Sequence, residues 1–122
     1  MASSYPLGPF KLVSVNTVPE RAKRLIGRMV EDVKEKYIII HVANAEKLED
    51  VTTVVKQHMP DLLFTASMWT PEESQKIQEM ARDIVGPQLK TFAIPQGLQV
   101  KEGPDAVVAY IKENLPGLLE AK

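Results

Sequence analysis

The side chains best suited to chemistry in this chain fall where short apolar runs give way to helix starts. They are Ser14, Asn16 and Thr17 after the first run, Asn44 after the second, Ser67, Trp69 and Thr70 after the third, and Gln96 after the fourth. Carboxamides and hydroxyls in such positions could hold a small polar ligand, and the single indole could stack on a flat ligand, anchor a protein partner or simply lid the core. Asn16, Thr17, Asn44, Ser67, Trp69, Thr70 and Gln96 are therefore the candidate ligand-binding residues.

Catalytic chemistry is harder to find. A serine nucleophile needs a base within reach and a third group to orient that base. The chain has no Gly-x-Ser-x-Gly elbow, and its two histidines are poorly placed for Ser14 or Ser67. His41 interrupts the most apolar run, and His58 lies at the end of a helix, away from the strand tips. His41 reads as a core histidine bonded to a neighbour; if its strand is long, it would sit beneath a pocket floor as an acid or base. No catalytic residue is assigned.

Phosphate sites need glycines that let the backbone approach the anion, and the stretch from Ser14 to Pro19 has none. Glu20, Glu46, Glu72, Glu73 and Asp105 fall in the first turns of their helices, where they complement the dipole and repel phosphate. Arg21, Arg24 and Arg28 share one side of a helix but alternate with Glu20, Glu31, Asp32 and Glu35, as a solvated face does. With no cysteine there is no thiolate metal site, thiol nucleophile or disulfide. Neither a metal nor a cofactor is expected.

Composition sets the class. The 122 residues are 44% hydrophobic and 25% charged, enough for one domain with its own core. Fifteen basic residues against sixteen acidic ones argue against a nucleic-acid partner. No run reaches the roughly 18 apolar residues of a membrane span, and the first ten residues do not resemble a secretory leader. The default reading is intracellular and cytoplasmic, with no membrane partner.

Four strand signals, at 10–15, 37–43, 62–68 and 90–95, alternate with four amphipathic stretches. The first helix carries Ala22, Leu25, Ile26, Met29, Val30 and Val33 on one stripe, behind an expected capping box from Thr17 to Glu20. The second, with Asn44 as its expected cap, carries Leu48, Val51, Val55 and Met59. Thr70-Pro71-Glu72-Glu73 is the clearest helix start, ahead of Ile77, Met80, Ala81, Ile84 and Val85. Gly103-Pro104-Asp105 opens the last helix, with Val107, Val108, Ile111 and Leu115 inward. Residues 1–9 read as an arm and 10–122 as a single domain.

Alternation of this kind predicts a three-layer αβα fold with a mostly parallel four-stranded sheet in the flavodoxin-like order 2-1-3-4. The alternative is a thioredoxin-like sheet with an extra antiparallel strand at 98–100. In the first arrangement any ligand binds at the carboxyl ends of the strands. Strand two would then be an edge, yet Tyr37 to Ala43 lacks the lysines, prolines or bulge glycines that protect one. Two functions remain: a noncatalytic interaction domain that forms a homodimer, or a small enzyme or small-molecule-binding protein using the strand-end polar groups.

Overall fold

A computed structural model describes residues 5–120. The first four residues of the expected arm lie outside the described residues. Four strands and four helices alternate: β1 (Leu7–Val15), α1 (Pro19–Val33), β2 (Tyr37–Ala45), α2 (Leu48–His58), β3 (Leu62–Thr65), α3 (Pro71–Val85), β4 (Lys90–Ala93) and α4 (Leu98–Leu119). The strands are parallel and ordered β2-β1-β3-β4, the flavodoxin-like αβα arrangement. Segment 98–100 is helical, so the sheet has no antiparallel addition there.

Period-two alternation along the strands builds two cores. Leu12, Tyr37, Ile39, Leu62 and Phe64 meet α1 and α4 on one face. Val13, Val15, Ala45 and Leu63 meet α2 and α3 on the other. The expected stripes supply the helix sides: Leu25, Ile26 and Met29 from α1, Val51 and Val55 from α2, Ile77 and Ala81 from α3, and Val107, Val108, Ile111 and Leu115 from α4. Met59 is the exception. It takes a left-handed conformation as the C-cap of α2 and stays exposed.

Two expected caps are corrected. Helix α1 is capped by Val18 and not by Thr17, and no side chain bonds there. The Val18 amide is instead taken by Asn16 Oδ1 at 2.7 Å, and Pro19 has no amide to satisfy. Asn44 lies within β2, two residues longer than expected, and α2 starts after Lys47 without a side-chain cap.

The box at α3 forms as read. Thr70 Oγ1 accepts from the Glu73 amide at 3.1 Å, and Glu73 Oε1 accepts from the Thr70 amide at 2.9 Å. Thr70→Ala should therefore lower the unfolding free energy by about 1 kcal/mol, read as a shifted urea midpoint with an unchanged slope.

Two departures from regularity shape the sheet. β1 begins at Leu7, three residues before the expected Phe10, and its Gly8 has φ +113. A Cβ at Gly8 would stand 2.5 Å from the Ile38 carbonyl, so only glycine fits this approach. The second departure is a bulge in β2. Leu12 pairs with His41 but Val13 pairs with Ala43, leaving Val42 as the extra residue. At the far end of α4, Glu120 accepts hydrogen bonds from the hydroxyls of both Tyr5 and Tyr37. Those bonds hold the Glu120 carboxyl below its ordinary range, the one from Tyr37 most strongly.

Candidate functional site

The bulge decides what gathers at the tips of β1 and β2. Without it, His41 and Asn44, three residues apart, would point to opposite faces. With one extra residue between them they share a face and both reach Ser14. Ser14 Oγ lies 2.8 Å from His41 Nε2 and donates to Asn44 Oδ1 at 2.7 Å. Asn44 Nδ2 then donates to the Asn16 carbonyl at 3.0 Å. Asn16 is itself tied at both ends: its amide donates to the Ala45 carbonyl at 3.0 Å and its Oδ1 holds Val18. The chain of bonds runs His41–Ser14–Asn44–Asn16 and closes on the start of α1.

The proximity of His41 to Ser14 overturns the expectation that neither histidine is well placed for it. The bonding still does not make a nucleophile. The Asn44 amide is oriented by its bond to Asn16, so its oxygen faces Ser14 and takes the one hydroxyl proton. The hydroxyl proton thus points to Asn44 and away from His41, whereas a general base must receive it. Ser14 is also only 3% exposed, and no substrate reaches it.

Burial lowers the His41 pKa below its usual 6.5, and a backbone hydrogen bond with Ala43 partly opposes the shift. A depressed pKa means that the folded state favours the neutral ring. His41 therefore contributes stability that is present above the unfolded value near pH 6.5 and lost as the pH falls through the lower folded value. Unfolding midpoints measured between pH 8 and pH 5 should fall on the acid side, and His41→Gln should flatten that part of the profile.

The remaining expected site residues disperse. Ser67 is buried at the end of β3, where its carbonyl accepts from the Gly97 amide at 2.9 Å. Trp69 is 9% exposed, and its indole N–H donates to the Val15 carbonyl at 2.8 Å, so it lids the core. Thr70 is spent on its cap, and Thr17 is exposed. Asn16 and Ser67 share a crevice with Arg21 and Gln99 at the β1–β3 switch point, but its volume is only about 20 Å³. Ligand pockets run to roughly 300–1,000 Å³; this one has room for a water molecule. Trp69 and Gln96 instead border a more open groove of about 410 Å³ between α3 and β4. Among the described residues, no three His, Asp or Glu side chains gather as a metal would require.

Sheet order, crossover pattern and two helical layers define a flavodoxin-like αβα domain. Among solved structures it is similar to a chain assigned as the signal receiver domain of the response regulator NarL from Mycobacterium tuberculosis. That likeness has 9% sequence identity and a TM-score of 0.52, covering 88% of this chain and 96% of that one. At such identity the likeness is one of fold. No protein-family model matches the chain, and no curated protein sequence matches it. Among the described residues no helix is long and apolar enough to cross a membrane.

Proposed function

We propose that this is a noncatalytic interaction domain that self-associates through the free edge of β2. The observation that carries the reading is the contrast between the two edges of the sheet. β4 is protected in three ways: it has four residues, starts with Lys90 and is followed closely by Pro95. β2 is nine residues long, and its Ile38 and Ile40 are 38% and 47% exposed. No residue from Tyr37 to His41 carries a fixed charge that would repel a second copy.

The bulge at Val42 twists the second half of β2 and so confines pairing to 37–41. A twofold antiparallel contact there would satisfy the outer amides and carbonyls and set Ile38 and Ile40 against their symmetry mates. The strand tips support the same class of function from the other side, because their polar groups are spent on each other. Sedimentation at micromolar concentration should give twice the 13.6 kDa chain mass. Ile40→Lys should give the single chain with an unchanged circular dichroism spectrum. A wild-type protein that stays monomeric at every loading removes the reading.

A further inference from the structure

The groove between α3 and the end of β4 holds about 410 Å³, a size in the range of small-molecule sites. Two of the residues expected to bind a ligand, Trp69 and Gln96, border it. Ser74, only 4% exposed, also lines it. Among the described residues no hydrogen bond holds the Ser74 hydroxyl, although buried hydroxyls are normally bonded. The wall of the groove thus carries a buried polar group that has no partner within the protein.

The two charges beside it are of opposite sign. Glu79 and Arg82 stand one turn apart on α3, a spacing at which opposite charges commonly meet. Among the described residues no salt bridge joins them. Each turns to a neutral partner instead: Glu79 Oε2 accepts from Gln75 at 3.2 Å, and Arg82 Nη2 donates to Thr91 Oγ1 at 2.8 Å. Both charges therefore remain uncompensated. The rest of the lining is uncharged, with carboxamides on Gln75, Gln78 and Gln96 and apolar surface on Trp69, Ile94 and Pro95.

We propose that this groove binds a small zwitterion of the α-amino-acid class with an apolar side chain. The ligand's carboxylate meets Arg82 and its ammonium meets Glu79. Ser74, nearer to Glu79 than to Arg82 along the helix, accepts a hydrogen bond from the ammonium. The apolar side chain lies toward Trp69 and Ile94. A ligand of one charge sign would satisfy one of the two residues and face repulsion from the other, so net neutrality is part of the recognition. The site stands apart from the β2 edge and does not depend on self-association there.

The test titrates leucine into the isotopically labelled full chain. Saturable amide shifts at Ser74, Gln78, Ala93 and Ile94 are expected, together with the indole N–H of Trp69. Leucinamide lacks the carboxylate and N-acetylleucine lacks the ammonium. Each should bind about threefold more weakly than leucine, the size of an exposed charge contact. Arg82→Gln should erase the preference for leucine over leucinamide, and Glu79→Gln the preference over N-acetylleucine. Glu79 is exposed, so its variant decides the matter even if Arg82→Gln fails to fold. Tighter binding by leucyl-leucine would assign the groove to a dipeptide of the same zwitterionic class. Equal binding of leucine, leucinamide and N-acetylleucine by the wild-type protein would overturn the charge assignment. Shifts confined to 37–41, or none at millimolar leucine, would remove the site.

Discussion

Trp69→Ala is expected to cost about 3–5 kcal/mol of unfolding free energy, the range for deleting a large aromatic from a core. A domain of this size has only about 5–15 kcal/mol in total, so the variant should be partly unfolded at ordinary temperature. Trp69 closes the α2/α3 core at the strand tips, against a cluster that includes Val15, Ala66 and Ile77. Its indole N–H also satisfies the Val15 carbonyl, which the variant would leave open. Trp69→Phe separates the two contributions: it keeps most of the ring and loses the bond, and should cost the smaller share. Urea denaturation followed by circular dichroism provides both values. A loss below about 1 kcal/mol for the alanine variant would mean that the indole is not part of the core.

Ser14→Val should have the next largest effect, about 2–3 kcal/mol, because it strands two partners at once. Valine suits a β-strand but carries one more heavy atom than serine, so some overpacking at this buried site adds to the cost of the lost bonds. His41 Nε2 and Asn44 Oδ1 both turn toward Ser14 and would be left without it. The coupling can be measured directly. Asn44→Leu alone should also destabilise, and the double variant should cost less than the sum of the singles by about 1 kcal/mol. Strict additivity would show that the network carries no cooperative energy.

The sheet order and the helix stripes were legible because they rest on burial. Leu25, Ile26 and Met29, or Val107, Val108 and Ile111, can be placed by periodicity alone. Thr70-Pro71-Glu72-Glu73 was legible because three local preferences agree on one helix start. The site was less legible, and the reason is the bulge. Polar residues at 41 and 44 break the period-two pattern of a strand, and that odd spacing was the available signal that an extra residue sits between them. Reading Asn44 as a cap absorbed the anomaly and hid the His41–Ser14–Asn44 contact. The cap at Thr17 is displaced in a similar way: Asn16, one residue earlier, takes the Val18 amide, and the helix starts one residue later, with Val18 at the cap. Trp69 could not be settled by sequence because its burial depends on the distance from the end of β3 to the carbonyl of Val15, on a different strand.

The position of α4 has a consequence for the order in which the protein is made. The α2/α3 core uses only elements that precede β4 or belong to its turn, so it can close while the ribosome is still adding residues. The other core cannot. Val107, Val108, Ile111, Leu115 and Leu119 all come from the final helix, and until it has left the exit tunnel, Leu12, Ile39 and Phe64 have only α1 to shield them. Every nascent chain thus passes through a stage with one side of its sheet half bare, the stage at which a holding chaperone would find the most to grip. The tether from Glu120 to Tyr37, spanning 83 positions, can form only after α4 has emerged.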